Sequence, residues 1–225
     1  MRHGTYARER ASIVSTARRL MDAGVLSLSR HGNISARVPG SEAILITGSS
    51  LAAVDEAGLA VLDLEGRVVE GEVAPTEREI IAMHTAFYDQ CPDLGCVIHT
   101  HSPHATAFAV AGEPLPCAAE TMARWGIFDA VPVAKWAPRG SDEAEANIVA
   151  ALERSPGAEA VLLESHGILV GGADPDAATR RTVALEETAQ VTLLARLIGT
   201  PRVLTPEQAR AAALRREEFL GLSKP

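Results

Sequence analysis

Three histidines and one glutamate hold the chemistry that this chain's spacing suggests. His99 and His101 lie in Gly95-Cys-Val-Ile-His-Thr-His-Ser102, His166 lies in Ala160-Val-Leu-Leu-Glu-Ser-His-Gly167, and Glu77 opens an amphipathic stretch after Pro75-Thr76. An apolar run ending in His-x-His predicts a buried strand whose end reaches a site. Residues i and i+2 of a strand share a face, so the two imidazoles converge as a chelate requires. Three neutral imidazoles, with a further position open or filled by a carboxylate, suit a catalytic divalent metal, zinc first. Each feature has a plainer alternative. A His-x-His pair also serves as polar packing or a surface pair, and Glu77 alone would be a first-turn carboxylate favoured by the helix dipole.

The elements that must position these residues follow from periodicity. Ile13, Val14, Ala17, Leu20 and Met21 recur at helical spacing, so residues 5–23 predict a helix. Residues 31–37 predict a turn running into a short strand, 43–47 a strand, and 59–64 with 67–70 a hairpin. Thr76 and Glu79 fit a capping box for a helix to about Gln90 that buries Ile80, Ile81, His84 and Phe87. Residues 95–101 predict a strand, 103–111 a short helix, 131–134 a strand and 141–153 a helix. Residues 160–170 predict one strand bent at His166-Gly167, followed by helices over about 174–198 and 205–220. Irregular alternation with hairpins favours a mixed or antiparallel sheet layered by helices over a doubly wound parallel fold.

Composition narrows the class. With 225 residues, 47% of them apolar, the chain can build one sizeable core, and residues 1–225 read as one domain. A net charge of -8 repels phosphate backbones, which argues against nucleic acid. No apolar run approaches the roughly 18 residues of a membrane span, and the first ten residues lack the apolar centre of a signal peptide. Cys91, Cys96 and Cys117 form no Cys-x-x-Cys pair, which fits a reducing cytoplasm better than a disulfide framework.

Five pieces in register, Gly32-Asn-Ile-Ser-Ala-Arg37, Ile44-Leu-Ile-Thr-Gly48, Pro75-Thr-Glu77, Val97-Ile-His-Thr-His-Ser102 and Leu162-Leu-Glu-Ser-His-Gly167, resemble the zinc-dependent class II aldolase/adducin family of the fuculose-1-phosphate aldolase type. The resemblance covers about residues 5 to 200. It implies an α/β fold, three-layer α/β/α with a central mainly antiparallel sheet, assembled as a homotetramer with active sites between subunits. It implies His99, His101 and His166 as ligands of Zn2+, for which Mn2+ or Co2+ can substitute. Glu77 takes the acid/base role and can also touch the resting metal. Gly32, Asn33, Thr47, Gly48 and Thr76 match positions that hold a substrate phosphate, and turn amides with small hydroxyls make a sensible anion cradle.

The implied activity is a carbon–carbon lyase of a ketose or ketose-phosphate-like substrate, acting through a metal-stabilised enediolate. No Schiff base is needed, and neither lysine, Lys135 or Lys224, lies in the motifs. A metal-dependent decarboxylase would share the same site. A non-catalytic adducin-like binding module is the rival from outside enzymology, and metal content separates it. Two departures stand out. Pro75 brings neither hydroxyl nor N–H where the sugar-phosphate members carry serine. The family's active-site tyrosines are also missing, for the chain has only Tyr6 and Tyr88, with Glu120 and Arg124 in the counterpart region. Elsewhere, His104 is expected to point away from the metal, and His84 reads as a packed histidine. Glu164 and Ser165 match no shared role, and the apolar stripe over 183–197 reads as core or subunit contact.

Overall fold

The computed structural model describes residues 6–219 and 221, without the side chain of Thr76. Among these, the elements run α1 (Ala7–Asp22), β1 (Gly32–Arg37), β2 (Ala43–Thr47), β3 (Leu59–Asp63), β4 (Val68–Glu70), α2 (Glu79–Gln90), β5 (Cys96–Thr100), α3 (Pro103–Ala111), α4 (Glu120–Arg124), β6 (Val133–Ala134), α5 (Asp142–Glu153), β7 (Ala160–Leu163), β8 (Gly167–Gly172), α6 (Pro175–Ile198) and α7 (Pro206–Phe219). The strands form one sheet in the order β4-β3-β2-β1-β5-β8-β7-β6. Every pairing is antiparallel except β6 with β7.

Alternation along the strands divides the core into two faces. Ile44, Ile46, Leu62, Val97, Val161 and Leu169 pack beneath Ile80, Phe87 and Tyr88 of α2 and Ile148 and Leu152 of α5. The opposite face carries Ile34, Leu45 and Ile98 under α1, and Leu162, Ile168 and Val170 under α3, α4, α6 and α7. The result is the expected three-layer α/β/α arrangement around a mainly antiparallel sheet. Burying each large apolar side chain contributes about 1.5–3 kcal/mol, so both helical layers are anchored by the hydrophobic effect.

Three elements differ from expectation. Residues 160–170 are two strands and not one bent strand. β7 and β8 pair antiparallel, with Leu163 opposite Gly167, and Glu164–His166 form the turn between them. Ser165 takes the left-handed conformation, φ 58°, that this short reversal requires. Second, Thr76 is not the N-cap of α2. Pro75–Glu77 is a 3-10 turn capped by Ala74, and α2 begins at Glu79 behind Arg78, without a side-chain cap. Proline presets φ for a first helical position, and its ring tightens this entry ahead of Thr76. Third, α4 falls in a stretch for which the sequence pattern carried no helix: five residues are too few to show a period. The last helix ends at Phe219, and Leu220 of the predicted segment lies outside the described residues.

Candidate active site

The sheet's register builds the site. β5 ends at Thr100, with Asn33 opposite His99 on β1 and Leu169 opposite His99 on β8. The β7–β8 turn then carries His166 back beside the end of β5. Gly167 permits this approach, since a Cβ there would meet Thr100 O at 2.5 Å and His101 Cδ2 at 3.0 Å. The three rings stand with centroids 4.7 Å (His99–His166), 4.9 Å (His101–His166) and 5.0 Å (His99–His101) apart. One nitrogen from each lies within 4.8 Å of the others, a group that could hold a metal ion.

The donor set fits such an ion. His99 Nδ1 donates to Ile168 O at 3.1 Å, which leaves Nε2 with its lone pair. His101 Nε2 lies 3.2 Å from that atom, close to the separation of about 3.3 Å that a tetrahedral ion imposes on two nitrogens 2.0–2.1 Å from it. Burial holds the His99 imidazolium well below its ordinary pKa, and His166 and His101 add like-charge repulsion. His101 is lowered to about 4, by burial first and then by His166, His31 and Arg139. His166 is lowered by burial, Arg139 and His31. The three imidazoles are therefore neutral at pH 7, the form that ligates.

Glu77 is buried, and its Oε2 lies 3.9 Å from Arg139 Nη2, while Arg139 Nε reaches Glu79 Oε2 at 3.2 Å. The carboxylate is not a member of the three-histidine group. The Arg139 guanidinium beside Glu77 also disfavours positive charge on His101 and His166. A cavity of about 260 Å³ opens beside them, walled by His31, Lys135, Trp136, Arg139, Glu164 and His166 among others.

The expected anion-binding positions come together through backbone contacts. Ile34 N donates to Thr47 Oγ1 at 3.1 Å, placing Thr47 beside Asn33. Ala74 N donates to Gly48 O at 3.0 Å, placing the Pro75–Glu77 turn beside Gly48. Gly48 N, however, already donates to Gly58 O at 2.9 Å, so its amide is engaged within the protein. Gly48 serves by close approach: a Cβ would lie 2.3 Å from Glu72 O. Gly32 does the same against His99 O at 2.6 Å. Thr76's side chain lies outside the described residues, so its place in the cradle rests on the backbone alone.

His104 is drawn elsewhere, as expected. Its Nδ1 lies 2.7 Å from Glu186 Oε1, and the same carboxylate accepts from His104 N and Ala105 N, closing the start of α3. His84 does more than pack: it bonds both Ser35 and Asn33. Glu164 Oε2 accepts from Trp136 N at 2.7 Å, pinning the β7–β8 turn to the cavity wall. Two site residues escaped sequence reasoning. His31 stands 4.9 Å from His101, ring to ring. The alternation His31-x-Asn33 opposite His99-x-His101 could have revealed it, given the β1–β5 register. Arg139 lies in a loop and carried no signal.

Comparison with known proteins accords with this geometry. The model of the Class II Aldolase and Adducin N-terminal domain matches residues 11–193. A 5-deoxy-D-ribulose 1-phosphate aldolase from Bacillus thuringiensis serovar kurstaki is 29% identical over 214 residues, covering 94% of this chain and 97% of that protein. Among solved structures, an L-fuculose 1-phosphate aldolase superposes with a TM-score of 0.83 at 29% identity, covering 96% of this chain and 99% of that one. The L-fuculose-1-phosphate aldolase of Thermus thermophilus is similar at a TM-score of 0.70 and 25% identity, over 85% and 96% of the two chains.

Proposed function

The chain belongs to the class II aldolase and adducin family, and from that premise we propose that it is a metal-dependent carbon–carbon lyase of a ketose or ketose phosphate. The observation that carries this reading is the convergence of His99, His101 and His166 with their nitrogens within 4.8 Å. A binding module has no need to gather three neutral imidazoles from one strand end and a turn. A divalent ion held there, zinc first, would supply Lewis-acid stabilisation to negative charge developing on a substrate carbonyl oxygen.

The protein's own groups do the rest. Glu77 accepts the proton from carbon in the synthetic direction and returns it during cleavage. Arg139, 3.9 Å from that carboxylate, gives it a cationic neighbour. Asn33, Thr47 and the Pro75–Glu77 turn receive the donor's anionic end, and Gly32 and Gly48 let backbone close around it. The cavity walled by Trp136 and His31 takes the aldehyde portion. We read the whole chain as one such domain, working in the cytoplasm as a homotetramer. Val191, Leu194, Leu197 and Ile198 leave the end of α6 with apolar surface suited to a subunit contact.

Two features weaken the anion's grip: Pro75 has no N–H to offer, and the Gly48 amide is already bonded. Each lost hydrogen bond to a charged group is worth about 1.5–3 kcal/mol, or roughly ten- to a hundred-fold in affinity. Aldol cleavage and synthesis should therefore be measured with dihydroxyacetone phosphate and dihydroxyacetone as donors against one aldehyde. The reading predicts activity with both and a modest preference for the phosphate in kcat/KM. Absence of aldol activity across a panel of aldehydes, with metal bound, would overturn it.

A further inference from the structure

A line of buried polar groups runs under α2 to the candidate anion site. Tyr88 OH lies 3.0 Å from Ser35 Oγ, Ser35 Oγ lies 2.6 Å from His84 Nδ1, and His84 Nε2 lies 2.6 Å from Asn33 Oδ1. All four residues are at most 1% exposed. At the far end, Asn33 Nδ2 is buried and has no hydrogen-bond partner among the described residues.

The chemistry of the groups gives the line one direction. An amide oxygen only accepts, so His84 Nε2 carries a proton and donates to Asn33 Oδ1. Burial keeps the His84 imidazole neutral, with its pKa lowered to about 3, so Nδ1 holds a lone pair and accepts from Ser35. Ser35 Oγ then accepts from Tyr88, whose phenol burial keeps protonated. Donation thus runs Tyr88 to Ser35 to His84 to Asn33. With Oδ1 held, the amide cannot turn over, and Nδ2 is committed to the opposite side.

Building on the lyase reading above, we propose that Tyr88, Ser35 and His84 are positioning residues. They form a buried relay that locks the Asn33 amide so that Nδ2–H meets an anionic oxygen of the substrate. An unpaired buried donor is destabilising, so the orphan at the end of this line calls for a partner that the folded chain itself does not supply. The orphan also sits where the substrate's charge is expected. Thr47, bonded to Ile34 N, flanks Asn33, and Asn33 lies opposite the metal-site residue His99 in register. A neutral relay of this kind offers a fixed dipole with no charge of its own to neutralise.

The test has two parts, both on the zinc-loaded full chain. Long-range nitrogen-15 NMR of the unmodified protein reads the His84 tautomer, and the relay requires the proton on Nε2. Titration with inorganic phosphate then compares the parent with His84→Leu and His84→Gln, with bound zinc measured in each. His84→Leu is expected to weaken phosphate binding about ten-fold or more. His84→Gln, whose amide can donate to Asn33 Oδ1, should recover most of that loss, with zinc content equal throughout. A proton on Nδ1, or equal phosphate affinity in folded His84→Leu and parent, would overturn the proposal. If His84→Leu does not fold, the tautomer and the His84→Gln affinity decide: Gln weaker than the parent by more than about ten-fold counts against it. A parent that cleaves ketose yet binds no phosphate overturns the relay and leaves the lyase reading standing; a parent that binds no zinc overturns the lyase reading itself.

Discussion

In the proposed mechanism, Glu77 is the residue on which proton transfer turns. It is buried, it faces Arg139, and it stands outside the cluster formed by the three histidines. Glu77→Gln keeps the shape and the hydrogen-bonding reach of the side chain but removes its ability to take a proton. The variant should retain its metal and lose about 100-fold or more in kcat, the usual scale for a missing general base. Equal kcat in variant and parent would remove Glu77 from the mechanism. The three histidines of the cluster were legible because each ends or follows an apolar run that reads as a strand. His31 and Arg139 were not: a lone histidine before a glycine and a loop arginine acquire meaning only when folding brings them to the site. His84 was legible as buried, from its place on the apolar face of α2, but not as the partner of Asn33, which is 51 residues away in sequence.

At the scale of elements, strands and helices were read from period and bounds. β2 at Ala43–Thr47 and α3 at Pro103–Ala111 coincide with the segments expected, since each is closed by a glycine or proline at its edge. The β7–β8 hairpin was hidden because its turn contains no glycine or proline among Glu164–His166, and Ser165 supplies the left-handed φ instead. That hairpin and the β1–β5–β8 register gather His99, His101 and His166, with His84 on the buried face of α2. In the unfolded chain each titrates near pH 6.5. Folding holds them neutral, His84 down to about 3 and His101 to about 4. Between those values and about 6.5 the unfolded state binds the extra protons, so stability is complete above about pH 6.5 and falls as pH drops. For His84 alone the loss is about 1.4 kcal/mol per pH unit, or about 2 kcal/mol at pH 5. Urea unfolding of the metal-free protein at about pH 7.5 and about pH 5 checks this. Equal midpoints would show that these imidazoles are not held neutral by the fold.

For the whole molecule, the three layers explain why the site lies where it does. The α2–α5 layer covers the sheet face that carries Val97 and Leu169, and the histidines emerge at the end of β5, where that layer gives way to the cavity. Among the described residues, no helix is long and apolar enough to cross a membrane. At the end of α6, Leu197 and Ile198 are 81% and 92% exposed, and in the proposed tetramer they face a neighbouring subunit. We expect four chains per particle by light scattering, and Leu197→Glu with Ile198→Glu should shift the particle toward smaller species; an unaltered monomer in both proteins would contradict the tetramer. The central claim is the metal. After exhaustive chelation, reloading with zinc and desalting, elemental analysis of the parent and of His99→Ala, His101→Ala and His166→Ala reads it directly. The account predicts one zinc per parent chain, aldol activity that returns with the zinc, and a loss of about ten-fold or more in metal affinity for each variant. A parent that holds no zinc while cleaving its substrate at full rate in chelator would contradict it.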